Sequence, residues 1–272
     1  MRIQILGTAA AEGWPAIFCD CDTCRRARAA GGPNIRSRAS VQIDDIFKID
    51  MPPDTYYHTV RHGLELWKLK YLFFTHSHGD HFAADEVEYL RSGFSHNLAN
   101  SPVQVFGNPT VVNILKARAE RVANLPITIR AATPFEPIRA DHLTFTPILA
   151  AHAPGEQALN YVIQSDTAAV LYASDTGLYE RATMQYLSGC SFDLLIVECT
   201  QGTLDLPSKP HMGLSGVLEL RQALTSAGAT APDTRCVITH FSHNMGKLHD
   251  EISAAANPEG IEVAYDGIVL EV

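Results

Sequence analysis

The stretch that most constrains this chain is Thr75-His76-Ser77-His78-Gly79-Asp80-His81. It follows directly on Leu69 to Phe74, an apolar run that reads as a strand, so four potential ligands are crowded at a strand end. Neutral imidazole and carboxylate suit Zn, Mn or Fe, and a tight loop after a strand can point alternate side chains at two neighbouring ions. Gly79 permits the sharp turn. A polar loop with three unrelated histidines is a poor account of such a density of ligand types.

Composition agrees with metal, since the 272 residues include 12 His and 6 Cys. A hydrophobic content of 46% gives this length a sizeable core and excludes disorder. The balance of 21 basic and 30 acidic residues leaves a net charge of -9, which repels phosphate backbones and argues against nucleic acid as the main substrate. No apolar run approaches the ~20 residues of a membrane span. The chain enters at once on Arg2 to Leu6, a strand with no apolar signal segment before it, so the expected location is cytoplasmic and no membrane partner is expected. A disulfide framework fits such a chain poorly.

Further apolar, β-branched runs read as strands at Ala39 to Ile43, Ile46 to Asp50, Val103 to Phe106, Leu143 to Leu149, Leu159 to Gln164, Ala169 to Ala173, Leu194 to Cys199 and Cys236 to Thr239. Asn108-Pro109-Thr110 caps a helix whose apolar positions continue through Val111, Val112, Leu115, Ala119 and Val122. Other helical stretches lie near Glu180 to Leu187, Leu214 to Ala227 and Leu248 to Ala256. Ile261 to Tyr265 and Ile268 to Leu270, joined by Asp266-Gly267, predict a type I′ hairpin. With no linker, low-complexity stretch or repeat, the expectation is one domain over 1–272, two strand clusters packed as sheets with helices outside.

The pattern His-x-His-x-Asp-His after a β-strand resembles the signature of the metallo-β-lactamase superfamily. That resemblance implies an α/β fold of the αββα type, two mixed sheets face to face with helices outside, and a dinuclear metal site at one edge. It also implies further His, Asp and His ligands, each after a later strand. His152 after Leu149, Asp175 in Ala173-Ser174-Asp175-Thr176, and His240 after Thr239 meet the requirement in order. By resemblance His76, His78 and His152 hold one ion, Asp80, His81 and His240 the other, and Asp175 bridges them. The implied nucleophile is the water between the ions, which two cations acidify while they clamp the attacked centre. Asp50, at the end of Ile46 to Asp50, matches an aspartate that orients a ligand in the family; a helix cap or turn competes for that residue.

Cys19, Cys21 and Cys24 offer three thiolates, one short of a tetrahedral zinc site. His243, three residues after His240, is the candidate fourth ligand of a closed structural zinc site. Three residues span at most ~10 Å, which places that zinc beside the catalytic pair. The alternative is three reduced surface thiols, an oxidation liability. Cys190, Cys199 and Cys236 lie singly in or near apolar strands, where a free thiol acts as a small core residue.

Together with Gly7-Thr8-Ala9-Ala10, Ser174 to Leu178, Thr239 to His243 and Tyr265-Asp266-Gly267, the cysteines make the chain similar end to end to the cyclic phosphodiesterases of the carbon-phosphorus lyase pathway. Those enzymes open a phosphoribosyl 1,2-cyclic phosphate with this kind of dinuclear site and zinc. The B proteins of pyrroloquinoline quinone biosynthesis share the Gly-rich start and the Cys cluster but usually lack the full ligand set. The resemblance assigns His211, before the helix from Leu214, to protonating the leaving oxygen, for which imidazole is suited at neutral pH; helix capping or a surface water is the alternative.

Pro52 to Lys70 is longer than that phosphodiesterase pattern implies. In it His58 and His62 share a helix face at i, i+4, either on an exposed helix or as substrate or metal contacts. His96, His142 and His249 default to surface or capping roles.

The expected function is a metal-dependent phosphodiesterase acting on a small cyclic or diester phosphate, with His211 and Asp80 as catalytic residues. Its cofactors would be two divalent ions, Mn, Zn or Fe, and one structural Zn. The expected partner is a small phosphorylated substrate, and a homodimer is compatible with the chain. A thiolester hydrolase gives no reason for the Cys3His site, a tRNA 3′ endonuclease calls for a basic extension not found here, and a biosynthetic partner protein does not need seven ligands.

Overall fold

The apolar runs bury residues on both faces, so each strand needs a layer on either side. The computed structural model, which describes residues 1–272, provides those layers as two seven-stranded mixed sheets face to face. The first sheet takes β1 (Arg2–Gly7), β2 (Ser40–Ile43), β3 (Phe47–Ile49), β4 (Tyr71–Phe73), β5 (Val103–Gly107) and β6 (Ile127–Ala131). The second takes β7 (Ile138–Ala140), β8 (Leu143–Leu149), β9 (Leu159–Gln164), β10 (Ala169–Ala173), β11 (Phe192–Glu198), β12 (Thr230–Thr239) and β13 (Ile261–Val263). The last strand, β14 (Val269–Glu271), returns to the first sheet beside β1. Helices α1 (Asp22–Ala30), α2 (Thr55–His62), α3 (Pro109–Arg121), α4 (Arg181–Leu187), α5 (Leu214–Ser226) and α6 (His249–Ala256) complete the chain, and none is long and apolar enough to cross a membrane.

Alternation along the strands sorts the core. Tyr71 and Phe73 of β4, Val170 and Tyr172 of β10, and Leu194 and Ile196 of β11 meet in the layer between the sheets. Leu171, Leu195 and Val197 face the opposite way, toward Val217, Leu220 and Leu224 of α5. Each such side chain contributes ~1.5–3 kcal/mol when fully buried. α3 begins as its sequence predicts, with Asn108 Oδ1 accepting from the Val111 N–H at 2.9 Å and Pro109 in the first turn.

The C-terminal hairpin does not form. β13 pairs parallel with β12 in one sheet, whereas β14 pairs antiparallel with β1 in the other. Asp266 is an anchor between them: it accepts from Ser37 N–H and Oγ–H at 2.6 Å and from Thr8 Oγ–H at 2.7 Å. Each strand thus extends a different sheet, β14 beyond β1 and β13 beyond β12.

The helix through His58 and His62 is present as α2, but His58 is not on an exposed face. β1 to β3 turn a polar row outward, Gln4, Gln42 and Lys48 in register, and α2 lies over it. His58 is fully buried with Nε2 against Ser37 Oγ at 2.8 Å, and His62 Nε2 meets the Leu6 carbonyl at 3.2 Å. Neither histidine belongs to a group that could hold a metal.

Candidate metal centre

β3 and β4 run parallel in the first sheet, and β8, β10, β11 and β12 share one direction in the second. Asp50, the His76 to His81 loop, His152, Asp175, Glu198 and His240 all lie at or just beyond the C-terminal ends of these strands. Asp50, Asp175 and His240 adopt φ of 61°, 58° and 58°, left-handed conformations uncommon outside glycine. Each strand end therefore turns abruptly and delivers its side chain to one centre, and backbone held in this way clusters at functional sites.

The expected seven residues meet there in two groups. His76, His78, His152 and Asp175 have ligand atoms all within 4.8 Å of one another, and so have Asp80, His81, Asp175 and His240. In the first group His76 Nε2 lies 2.9 Å and His152 Nε2 3.3 Å from His78 Nδ1, and both lie 3.5 Å from Asp175 Oδ2. In the second, His81 Nε2 is 3.4 Å from Asp80 Oδ2 and 3.2 Å from Asp175 Oδ2, while His240 Nε2 is 2.5 Å from Asp175 Oδ1. Ligands at 2.0–2.1 Å around a tetrahedral ion are ~3.3 Å apart, so the spacing fits.

Hydrogen bonding decides which atoms face inward. His81 donates from Nδ1 to Asp50 Oδ2 at 2.7 Å. Thr75 Oγ1 gives its proton to Asp50, so it accepts from His76 Nδ1–H at 3.0 Å. Thr200 Oγ1 gives its proton to the His240 carbonyl and accepts from His240 Nδ1–H at 2.8 Å. All three imidazoles are left with a bare Nε2 lone pair toward the centre. His81 Nε2, His240 Nε2 and Asp175 Oδ1 are buried without a hydrogen-bond partner. Acceptors facing acceptors in a buried space are stabilised by a cation between them, a metal ion or a shared proton.

Charge states differ among the rings: burial works against charge on His81, but Asp175 and Asp50 prevail and raise its pKa well above the ordinary value in the absence of an ion. Burial holds His76 and His152 below their ordinary pKa, which keeps them neutral. Burial would raise Asp175, but His240 and His81 outweigh it and hold its carboxyl well below the usual range. Burial opposes ionisation of Asp80 too and is outweighed by His81. Neutral imidazole and ionised carboxylate are the forms that bind metal. Asp50, fully buried, accepts from His81 Nδ1–H and from the Thr75 N–H at 2.8 Å, so it orients the His81 ring and caps no helix.

His211 stands beside the centre, its ring 4.9 Å from that of His152 and 5.9 Å from that of His240. Its Nδ1–H donates to Glu198 Oε1 at 2.7 Å. Burial works against charge on His211, but the hydrogen bond and charge of Glu198 prevail and raise its pKa. Glu198, fully buried at the end of β11, also accepts from the N–H groups of Thr176, Thr200 and Met212. Gly177 lets this loop approach, since a Cβ there would sit 2.3 Å from the Ser208 carbonyl oxygen. Sequence inspection missed Glu198, although a carboxylate closing the run Leu194-Leu195-Ile196-Val197 at a strand end was a usable signal.

Cys19, Cys21, Cys24 and His243 form a separate group with ligand atoms within 4.8 Å. His243 Nδ1 lies 3.8 Å from Cys19 Sγ and 3.5 Å from Cys21 Sγ, close to the ~3.6 Å separating N and S ligands of a tetrahedral zinc. The Cys24 N–H and then His243 draw the Cys21 thiol down to about 6, whereas burial pushes Cys24 up to about 11. The four donors fit a closed zinc shell. Cys199 and Cys236 are buried and Cys190 half-buried. His142 pairs with Asp44 and His249 with Arg36, away from both groups.

The model of the beta-lactamase superfamily domain matches residues 46–241, which holds the seven His/Asp residues and begins after the Cys cluster. A solved diphosphatase from the PhnP family is 25% identical and superposes with a TM-score of 0.78 over 100% of this chain and 97% of its own. Zn-bound PqqB from Methylobacterium extorquens is 16% identical, covers 100% of both chains and has a TM-score of 0.77. Human tRNase Z, short form, is 15% identical over 100% of this chain and 99% of its own, with a TM-score of 0.69. The latter two likenesses show the fold. No curated protein matches the chain.

Proposed function

We propose that this chain, which belongs to the beta-lactamase superfamily, hydrolyses a small cyclic or diester phosphate at a dinuclear metal centre. The observation that carries the proposal is the convergence of seven His and Asp side chains, with His78 at the exposed rim, on a centre where His81 Nε2, His240 Nε2 and Asp175 Oδ1 are buried without a hydrogen-bond partner, beside a carboxylate-held imidazole. His76, His78 and His152 would hold one divalent ion, Asp80, His81 and His240 the other, and Asp175 both. Mn, Zn or Fe bound there supplies Lewis acidity toward the phosphoryl group and acidifies water in the site.

The residues of the chain do the rest. Asp80 and Asp175 balance the charge of the ions, and Asp50, Thr75 and Thr200 fix the ligand rings. Glu198 holds His211 by Nδ1, which leaves its Nε2–H for the substrate, and the side chain is 25% exposed, enough to reach one. From there His211 passes a proton to the leaving oxygen, which departs as an alcohol rather than an alkoxide. Cys19, Cys21, Cys24 and His243 would bind a structural zinc that ties the Cys loop to the segment following His240. Support for phosphorus chemistry comes from the diphosphatase named above, so a diphosphate belongs among the test substrates.

The test is hydrolysis of bis(4-nitrophenyl) phosphate, a ribose cyclic phosphate, a diphosphate and a thiolester by protein of known metal content. Turnover of the phosphodiesters that vanishes with chelation is expected. Turnover of the thiolester alone would refute the substrate class.

A further inference from the structure

The ligand rings are not all held in the same way. His76, His81 and His240 are each fixed by a hydrogen bond from the nitrogen that faces away from the centre. His152 has no such bond, because its Nδ1 is buried without a partner, and His78 is hydrogen-bonded only through its inward Nδ1. These two imidazoles must be placed by the backbone that carries them. His152 sits on a tight loop between β8 and β9 in which Ala153 and Gly155 have φ of 49° and 111°. An alanine in the left-handed region persists only where its surroundings hold it.

Glu156 supplies that hold. Its Oε1 accepts from Ser77 Oγ–H at 2.9 Å, and the Ser77 N–H reaches Oε1 at 3.2 Å and Oε2 at 3.3 Å. Its Oε2 accepts from Asn108 Nδ2 at 2.8 Å. Ser77 stands between His76 and His78, and Glu156 is on the loop of His152. One side chain thus ties the ligand loop of the first sheet to the ligand loop of the second.

We propose that Glu156 is a positioning residue for the ion that His76, His78, His152 and Asp175 would hold, acting through the hydrogen bonds it accepts from Ser77 and Asn108. This rests on the metal-centre reading above. The need for an acceptor follows from the donors. Ser77 N–H and the Asn108 amide cannot reverse their roles: the Asn108 Oδ1 is committed to the Val111 N–H at 2.9 Å, and Nδ2 also donates to the Gln157 carbonyl at 2.8 Å. Asn108 is fully buried, so water cannot stand in. A leucine at 156 would leave both donors unpaired, whereas a glutamine can still accept from both at the Oε2 position while its NH2 donates to Ser77 Oγ.

Stepwise competition of the apo-protein with a chromophoric chelator for Zn(II), and the spectrum of the Co(II)-substituted protein, test the proposal. Glu156→Ala and Glu156→Leu are both expected to weaken one ion of the His/Asp pair by ~10- to 100-fold, as lost outer-shell support does. The other His/Asp ion and the Cys-site zinc should keep their affinities. Glu156→Gln, which keeps the length and can keep the hydrogen bonds, should retain more affinity than Glu156→Leu, an order that a filler of space would not produce. Wild-type affinity in Glu156→Leu would overturn the proposal. An equal loss at every site with a lower melting temperature would make Glu156 a general structural residue and overturn the proposal. Wild-type protein that takes up no ion at the His/Asp groups would instead overturn the metal-centre reading itself.

Discussion

Replacing His211 by Ala separates proton donation from metal binding. His211 gives its Nδ1–H to Glu198, so its loss removes no inward-facing atom of the two ligand groups. Glu198 keeps three backbone N–H donors, from Thr176, Thr200 and Met212, and is not left bare. The stability cost should therefore stay near ~1 kcal/mol, that of one hydrogen bond. The effect on rate should be larger. A general acid contributes ~10²- to 10⁴-fold, equivalent to ~3–5 kcal/mol, when the leaving oxygen is a poor alkoxide.

With 4-nitrophenolate, which is stable without a proton, the loss should shrink to a few-fold. The assay is kcat on an alkyl and a 4-nitrophenyl phosphodiester, with metal content measured on the same sample. Equal losses on the two substrates would reassign His211 to substrate binding. Loss of an ion would make it a ligand, and the seven-residue centre would have to be redrawn.

Asp175→Ala should abolish turnover of bis(4-nitrophenyl) phosphate and lower metal content at both His/Asp groups, since Asp175 belongs to each; near-normal turnover would refute the dinuclear proposal. Cys21→Ser should remove one zinc per chain and lower the melting temperature while the His/Asp groups still load, and an unchanged zinc count would refute that site. Lys48 is fully buried, and burial lowers its pKa from 10.5 to about 7. The unfolded chain binds the extra proton between those values, so this residue costs stability that is regained as pH rises from 7 toward 10.5, with a ceiling of roughly 5 kcal/mol at ~1.4 kcal/mol per pH unit. Denaturant unfolding should show wild-type stability gaining on Lys48→Met between pH 7 and 9.5; parallel pH profiles would refute the assignment.

Residues that meet at the centre were legible because their types are rare in combination and each stands at the end of an apolar run. The bonds that orient them were not. Thr75, Thr200 and Glu198 are ordinary residue types, and only the folded arrangement of β4, β11 and β12 brings their oxygens to the ring nitrogens. The C-terminal hairpin failed for a related reason. Asp266-Gly267 is a genuine turn, but strand pairing is decided by which edges are open, and β1 and β12 offer edges in different sheets. α2 was misjudged because what buries His58, a polar row on the first sheet and the Ser37 to Asp266 contacts, is remote in sequence.

The left-handed residues show where local and global requirements part. Asp50, Asp175 and His240 each follow a β-branched or apolar run whose propensity favours continued extension. Asp, Asn and His tolerate positive φ better than other side chains, so an Asp or His just past a buried strand is a readable hint that the chain turns there. What the sequence could not show is that three such turns from both sheets converge. Each costs of order 1–3 kcal/mol, and the strain persists because the residue that turns is also the one the centre holds: Asp50 by His81 and Thr75, His240 by Thr200, and Asp175 by two ligand groups at once. Of these, only Asp175 lacks a protein donor for the oxygen it turns inward, Oδ1. Its turn therefore depends most on the ions that the proposed function requires.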